Sequence, residues 1–244
     1  MRPYLIVNVA MSADGKISTR ERRQVRISGK QDFTRVDHLK ARCDAVMVGI
    51  GTVLADDPSL TVKSEECRLY RRKQGRDDNP VRVVVDSAAR IPLEASVLHK
   101  GKGKRVVAVS ARADGTRISE LEKKSTVIVS GKDEVDLPAL MDKLGAMGIK
   151  CIMVEGGGTL IAGLIRAGLV HEIYTFIGNI IIGGRDAPTF TEGEGFMSES
   201  SFPRLVLLET HGIGDGILLH WKVKDPDPGQ EIPFPGAGRD PGRR

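Results

Sequence analysis

The sequence predicts an α/β fold built on a mostly parallel central sheet, and three observations lead to this prediction. Short runs of β-branched and aliphatic residues recur along the chain, each closed by a glycine or a polar residue, as buried strands are. Segments with the apolar spacing of amphipathic helices lie between these runs. Several runs end in glycine, hydroxyl or carboxylate residues, which is typical of the ligand-binding edge of an open α/β sheet. Alternating strands and helices give a parallel sheet covered on both faces.

Seven strands are expected to make up most of the sheet. In chain order they lie at 4–10, 45–48, 80–86, 104–110, 125–129, 150–155 and 170–177. The runs at 205–209 and 216–224 are expected to close the sheet as an antiparallel pair. The first run, YLIVNVA, is apolar except for Asn8, which predicts a central strand whose polar side chain must find a partner.

The longer helices are expected at 30–42, 137–147 and 160–167. In the first helix Phe33, Val36 and Leu39 share one face, which is the apolar spacing of an amphipathic helix. In the second helix four apolar residues are expected to point inward: Leu137, Leu140, Met141 and Leu144. The stretch 65–79 is polar and charged, so a loop with at most a helical turn is expected there.

The composition is that of an ordinary globular chain, with 40% hydrophobic and 28% charged residues among 244. Aromatic residues make up 4%, which disfavours the stacking platforms that bind single-stranded nucleic acid. The net charge of +5 is spread along the chain, so it suits an anionic small molecule at least as well as nucleic acid. No segment approaches the run of roughly 20 apolar residues that a membrane span needs. The expected partner is therefore a small molecule, with neither nucleic acid nor membrane involved.

Three cysteines, Cys43, Cys67 and Cys151, are widely separated and form neither a CxxC pair nor a disulfide framework. Cys43 and Cys151 lie beside predicted strands and are expected to be small buried apolar residues, in keeping with a reducing cytoplasm. Near the C-terminus, proline, glycine and charged residues replace aliphatic ones. We therefore expect one domain at 1–224 and a disordered tail at 225–244.

The stretch 44–62, DAVMVGIGTVLADDPSLTV, is the centre of the predicted organisation. A buried strand runs into Gly49 and Gly51, which allow a sharp turn or a close approach to a ligand. Thr52 stands where its hydroxyl could cap a short helix or bind a phosphate, and Asp56 follows. The alternative is a strand, a turn and a capped helix without a ligand.

A second glycine stretch, EGGGTL at 155–160, joins a predicted strand to a predicted helix. Three successive glycines expose backbone N–H groups at a helix N-terminus, where the helix dipole favours an anion such as a dinucleotide pyrophosphate. The stretch is neither GxGxxG nor a Walker loop, and a tight strand–helix junction is the alternative. Glu155 precedes these glycines at a strand end, as Asp86 and Ser87 follow another strand, so all three are functional candidates.

Other enzyme classes are disfavoured by what the sequence lacks. The five histidines are scattered and no HxE is paired with a later PCxxC, which argues against a zinc-dependent base deaminase. There is no GxSxG elbow of an α/β-hydrolase. The charged stretch 19–26, TRERRQVR, is a solvated loop in the simplest interpretation, but it could also close over an anionic ligand.

Several motifs together resemble the reductase family of riboflavin biosynthesis. They are NVAMSADGKI at 8–17, RIS at 26–28, VGIGTVLADDPSLTV at 48–62, NPVRVVVDS at 79–87, EGGGTL at 155–160, GLVHEI at 168–173 and IIGGRDAPTF at 181–190. The resemblance spans roughly residues 3–224. It implies a dihydrofolate-reductase-like fold, a homodimer, and NADPH as the cofactor with NADH possible.

The resemblance also implies site residues. Cofactor contacts fall to Ala10, Thr52, Asp56, Asp86, Ser87, Gly156, Gly157, Gly158 and Thr159. Substrate contacts fall to Asn8, Arg26, Ser28, Lys40, Leu60, Lys63 and Glu155. This chain departs from the bacterial pattern at Lys40 and Lys63, which stand in place of arginines and lose bidentate phosphate contact, and at Asn8, which stands in place of a lysine.

The implied reaction is the NADPH-dependent reduction of the ribosylamino group of 2,5-diamino-6-ribosylamino-4(3H)-pyrimidinone 5′-phosphate to a ribitylamino group. Glu155 is the candidate for a catalytic role near the reacting carbon, and no metal is expected. One alternative is the same reduction on the deaminated uracil form, 5-amino-6-(5-phosphoribosylamino)uracil, and reduction of a pterin is a more distant version. Another is a non-catalytic nucleotide-binding protein that has kept the cavity and lost the reaction.

Overall fold

A computed structural model describes residues 1–23 and 25–224, and the predicted tail at 225–244 lies outside them. The described residues form one nine-stranded sheet with the order β5-β4-β3-β2-β6-β1-β7-β9-β8. Its strands are β1 (Tyr4–Ser12), β2 (Ala45–Gly49), β3 (Val81–Val85), β4 (Arg105–Val109), β5 (Thr126–Val129), β6 (Cys151–Gly156), β7 (Glu172–Gly178), β8 (Leu205–Ile213) and β9 (Gly216–Val223).

The sheet has a parallel part and an antiparallel end. β1 to β7 pair in parallel, and β1 lies inside the sheet between β6 and β7. β9 pairs antiparallel with β7, and β8 pairs antiparallel with β9 at the edge. The predicted fold class is therefore confirmed, including the antiparallel C-terminal pair.

Helices cover both faces of the parallel part. They are α1 (Lys30–Arg42), α2 (Ile50–Asp56), α3 (Glu65–Lys73), α4 (Ser96–His99), α5 (Gly115–Glu122), α6 (Leu137–Ala146) and α7 (Gly158–Arg166). On one face α6 and α7 bury aliphatic residues against the sheet, and on the other face α1, α2 and α5 do so. Each buried strand contributes alternate residues to the two cores, which explains why strands such as Ala45–Gly49 are apolar without interruption.

Helix α3 contradicts the loop expected at 65–79. Ser64 caps its N-terminus by accepting a hydrogen bond from the Cys67 amide. The helix buries Cys67 and Arg71, and Arg71 donates to the backbone carbonyls of Ala41 and Cys43. The helix was missed because an arginine and a cysteine, rather than an apolar stripe, form its inner face.

A smaller expectation about a helix is also wrong. Thr52 does not cap α2, because that helix begins at Ile50 and Gly49 is its N-cap residue. On the apolar face of α1, Phe33 is 53% exposed, whereas Leu39 is buried. The inward orientation predicted for α6 is confirmed at Leu140, Met141 and Leu144, while Leu137 is partly buried.

Two of the cysteines meet where α1 ends and β6 begins. Cys43 and Cys151 are buried, and their Sγ atoms lie 3.5 Å apart as thiols. Asp44 fastens the same junction, since its carboxylate accepts hydrogen bonds from the amides of Lys150 and Cys151. The sequence predicted burial of both cysteines but not their contact.

A polar cluster joins β1, β7 and β9. The Tyr4 hydroxyl donates to Glu172 at 2.7 Å, and His220 Nε2 lies 3.0 Å from the other oxygen of Glu172. Burial raises the pKa of the Glu172 carboxyl, but the hydrogen bonds from His220 and Tyr4 outweigh it, so the net pKa is lowered.

Candidate active site

A cavity of about 1140 Å³ lies at the C-terminal edge of the parallel strands. It runs from Ala10 on β1, past the turns that follow β2 and β6, to Ser87 after β3. This is the edge at which open α/β sheets bind ligands, because loops there diverge between neighbouring strands. The cavity is larger than the roughly 300–1000 Å³ of typical small-molecule sites, so it can hold a ligand of dinucleotide size.

The wall of the cavity next to β6 is the glycine turn. Gly156 and Gly157 have φ angles of 155° and 94°, which side-chain-bearing residues rarely adopt. A Cβ on Gly157 would lie 3.4 Å from the backbone of Gly49, and a Cβ on Gly158 would lie 2.8 Å from the Thr189 carbonyl oxygen. The turn therefore needs glycine at 156 and 157 for its backbone angles and at 158 for its packing. It delivers the chain into α7 with Gly157, Gly158 and Thr159 lining the cavity.

Helix α2 supplies the facing wall. Thr52 and Asp56 line the cavity, and Thr52 Oγ1 lies 3.5 Å from the position a Cβ would take on Gly156. The two glycine-containing stretches singled out in the sequence thus meet across this space. Burial raises the pKa of the Asp56 carboxyl, which places a less readily ionised group in the wall.

The two residues after β3 have different surroundings. Ser87 lines the cavity, and its Oγ accepts a hydrogen bond from the amide of Val135. Asp86 is fully buried behind the wall, where its carboxylate accepts from the Ile91 amide at 2.7 Å. Burial raises the pKa of Asp86, against the effects of this hydrogen bond and of Arg90. In this arrangement Asp86 holds the loop after β3.

An ion pair lies at the end of β6, directly before the glycine turn. Lys40 Nζ on α1 contacts Glu155 Oε1 at 2.7 Å, and the side chains are only 10% and 17% exposed. Lys63 is held against the same helix, because its amide donates to Asp37 Oδ1 at 2.8 Å. Its Nζ donates to Ser59 Oγ at 2.7 Å and Thr61 Oγ1 at 2.9 Å, and burial, followed by the charge on Lys40, lowers the pKa of its ammonium group. The structure thus places a second cation near the ion pair.

Asn8 lies beside this ion pair. Asn8 and Glu155 directly follow the paired residues Val7 and Val154 of β1 and β6. Asn8 is buried, and its Oδ1 accepts a hydrogen bond from Arg35 Nη2 at 2.7 Å, so the partner that the sequence required is Arg35. Arg35 is itself held by Asp32 at 2.8 Å. The Arg35 guanidinium therefore approaches Asn8, the position that is a lysine in the bacterial pattern.

The structure divides the sequence-predicted site residues into two neighbouring groups. The cavity wall contains Ala10, Arg26, Ser28, Thr52, Asp56, Ser87, Gly157, Gly158 and Thr159. A second group lies around the end of β6 and comprises Asn8, Lys40, Lys63, Glu155 and the first turn residue Gly156. Leu60 is buried with a φ of 53°, and Asp86 is buried behind the wall.

Some wall residues lie outside the predicted site residues. Two of them are Arg22 and Glu192, which face each other as an ion pair. Arg90 and Arg112, which the sequence offers as possible partners of a cofactor 2′-phosphate, also line the cavity, at the end beyond Ser87. Arg22 belongs to the charged stretch 19–26, for which the sequence allows either a solvated loop or a loop that closes over an anionic ligand. Nothing local in the sequence marks Glu192, because its partner is 170 residues away.

Two properties of the described residues bear on the kind of site. Within residues 1–23 and 25–224, no group of three or more histidines, cysteines, aspartates or glutamates is arranged to hold a metal ion. In the same part of the chain, no helix has both the length and the apolar character that crossing a membrane requires.

A parallel α/β sheet, a long cavity at its C-terminal edge and a side-chain-free turn at a helix N-terminus together define a nucleotide-cofactor enzyme. Comparison with known proteins agrees with this class. The chain belongs to the RibD C-terminal domain family, which matches residues 3–219.

Individual relatives align over almost the whole chain. It is 51% identical over 219 residues to the 2,5-diamino-6-ribosylamino-4(3H)-pyrimidinone 5′-phosphate reductase of Archaeoglobus fulgidus, covering 90% of this chain and 97% of that one. It is 44% identical over 224 residues to the reductase of the same name from Methanothermobacter thermautotrophicus, covering 92% and 100%. The structure of a pyrimidine reductase-like protein from Corynebacterium diphtheriae matches with a TM-score of 0.79 at 20% identity, over 91% and 92% of the two chains, which shows the shared fold.

Proposed function

We propose that this chain is the 2,5-diamino-6-ribosylamino-4(3H)-pyrimidinone 5′-phosphate reductase of riboflavin biosynthesis. The observation that carries the proposal is the continuity of the site: Glu155, paired with Lys40, leads directly into the glycine turn of the cavity. Relatives of 51% and 44% identity, matched over nearly their full lengths, bear this name and support the diaminopyrimidinone form over the uracil form.

The residues of the cavity fit a nicotinamide dinucleotide. The glycine turn itself brings no side chain to the N-terminus of α7, where backbone N–H groups favour a pyrophosphate. Thr52 offers a hydroxyl from the facing wall, and Ala10 on β1 leaves room for a flat ring. Bound there, the reduced nicotinamide supplies the hydride of the reaction. We take NADPH as the cofactor, with NADH as the alternative, because arginines line the cavity end beyond Ser87.

The group at the end of β6 would bind and orient the phosphorylated substrate. Lys63 and Lys40 supply positive charge for a 5′-phosphate as single donors, without the bidentate geometry of arginine. The Glu155 carboxylate, fixed by Lys40, is placed to hold a hydroxyl or amino group of the ribosylamino portion by accepting its hydrogen bond. Its catalytic part is to keep the reacting carbon in one orientation toward the cavity.

The test is a comparison of two substrates in one assay. The purified protein is mixed with NADPH and either the diaminopyrimidinone ribosylamine phosphate or its deaminated uracil counterpart, and cofactor oxidation is followed by absorbance. Faster turnover of the first supports the proposal. Preference for the second assigns the uracil reaction, and tight NADPH binding without oxidation assigns a binding protein. Glu155→Gln should lower kcat/KM while leaving NADPH binding intact.

We propose further that the chain acts as a homodimer in the cytoplasm. Four successive apolar residues of edge strand β8, Leu205, Val206, Leu207 and Leu208, are between 39% and 48% exposed. Exposed apolar strand edges are rare unless a partner covers them. The three cysteines are buried as thiols, in keeping with a reducing compartment. Light scattering should give twice the mass of the chain, and Leu207→Lys should lower it; a monomeric wild type would contradict the dimer.

A further inference from the structure

An ion pair spans the mouth of the cavity between two segments that are distant in sequence. Arg22 Nη2 lies 2.9 Å from Glu192 Oε1, and Arg22 Nη1 lies 3.4 Å from Glu192 Oε2. Both residues line the cavity, and the side chains are 63% and 22% exposed. Exposed pairs of this kind add little to stability, so the two side chains can separate at small cost.

Glu192 is placed against the first turn of α7. Its amide donates to the Gly158 carbonyl at 3.1 Å, and a Cβ on Gly158 would lie 2.7 Å from Glu192 Cγ. The carboxylate therefore stands beside the helix N-terminus where the proposed function puts a pyrophosphate. Two anions at one such site repel each other, so the carboxylate of Glu192 opposes the ligand that the turn is built to receive.

The two segments are tied to each other below the ion pair. Lys16 Nζ donates to the Ala187 carbonyl at 2.9 Å, and the Ile17 amide donates to the Pro188 carbonyl at 3.0 Å. These bonds hold both segments at the cavity, and the Arg22 side chain is 63% exposed. Among residues 1–23 and 25–224, the Arg22 guanidinium is bound to the Glu192 carboxylate alone, and it can exchange this partner for a phosphate, with which it makes the same forked contact.

We propose that Arg22 is a phosphate-binding residue of the cofactor site and that Glu192 is its built-in competitor. The pyrophosphate common to NADPH and NADH takes Arg22 from Glu192 as it docks at the N-terminus of α7. The inference rests on the proposed function for its ligand, and it extends that function to two residues outside the predicted set. Its distinctive consequence is that removing the two partners of one ion pair changes cofactor affinity in opposite directions.

The experiment measures the dissociation constants of NADPH and NADH by fluorescence titration, without substrate. Arg22→Ala should weaken binding about tenfold, which corresponds to the loss of a charged hydrogen-bonded contact. Glu192→Gln should tighten binding by about threefold, because it removes the negative charge beside the helix N-terminus and the ion pair that holds Arg22 away from the pyrophosphate. Arg22→Lys should restore part of the affinity. Arg2→Ala, which breaks an exposed ion pair with Asp142 on α6, is the matched control and should change nothing.

The outcomes separate this inference from the function it rests on. Equal or same-direction changes in Arg22→Ala and Glu192→Gln, with the wild type binding normally, would overturn the inference alone. A wild type that binds neither NADPH nor NADH would overturn it together with the proposed cofactor. Opposite changes that appear with NADPH but not with NADH would also overturn it, because they would place Arg22 on the 2′-phosphate. The unfolding temperature of each variant is also measured, and a value equal to that of the Arg2→Ala control shows that the variant is folded.

Discussion

Replacing Lys40 by methionine leaves the Glu155 carboxylate in a largely buried position without the ammonium that now contacts it. Replacing Glu155 by glutamine leaves Lys40 facing Lys63, whose pKa is already lowered by burial and by the charge on Lys40. The first variant retains the nearby Lys63 cation for the Glu155 charge, and the second retains two neighbouring cations without the Glu155 carboxylate. We therefore expect Glu155→Gln to destabilise the fold more than Lys40→Met.

The magnitude follows from the geometry. At the 2.7 Å separation of Lys40 Nζ and Glu155 Oε1, the direct attraction is about 6 kcal/mol at an effective dielectric constant of 20. Desolvation of two side chains that are 10% and 17% exposed offsets most of this attraction in the intact pair. Removing one partner keeps the desolvation cost of the other. We expect a loss of about 2 kcal/mol for Lys40→Met and about 3 kcal/mol for Glu155→Gln.

Urea unfolding followed by circular dichroism measures these losses, with the double variant Lys40→Met/Glu155→Gln completing a cycle. The double variant should be more stable than Glu155→Gln, because neither charge is then left without its partner. Lys30→Met, at the exposed start of the same helix, is the control and should change stability by less than about 0.5 kcal/mol. Additive losses in the double variant would refute the argument that the two groups form one buried pair.

Two other predictions concern the glycine turn and the acid limit of stability. Gly158→Ala should cost about 2 kcal/mol and weaken NADPH binding, because its Cβ would lie 2.8 Å from the Thr189 carbonyl oxygen. Gly115→Ala is the control: it lies at the same first position of helix α5, no heavy atom of the described residues lies within 4 Å of its Cβ, and it should change neither thermal unfolding nor cofactor titration. Equal losses would mean that crowding at Gly158 is unimportant. Because the pKa of folded Glu172 is lowered, its stabilising contribution is present above the ordinary value of 4.5 and is lost as the pH falls below it. Unfolding measured between neutral and acidic pH should therefore show a shallower acid decline in Glu172→Gln, and an unchanged profile would exclude Glu172 as a source of it.

The sheet could be predicted from the sequence because its strands are buried on both faces. Such strands are short apolar runs, and their positions can be read from the local sequence, as in the continuous run Ala45–Gly49. Helix α3 could not be found in this way, because its inner face is made by Arg71 and Cys67. The guanidinium of Arg71 is stabilised by backbone carbonyls that only the folded chain brings to it.

The site was predictable where it is made of backbone and not where it is made of distant side chains. The three successive glycines at 156–158 indicate a tight turn from the sequence alone, since few other positions need three residues without side chains. The partners of Asn8 and Glu155 are Arg35 and Lys40, which lie on one helix and meet their strands only after folding. The ion pair between Arg22 and Glu192 is a tertiary contact with no local signal at all.

The contact of Cys43 with Cys151 has a consequence for any attempt to modify this protein. Cys43 lies three positions after Lys40, and Cys151 lies four positions before Glu155. The segment of α1 and the strand β6 therefore meet twice, through the contact of the two thiols and through the ion pair. A larger or smaller residue at either cysteine would shift the helix along the strand, and this shift would change the distance between Lys40 and Glu155. A change that optimises the interior for thermal stability at this junction therefore also changes the geometry of the ion pair between Lys40 and Glu155.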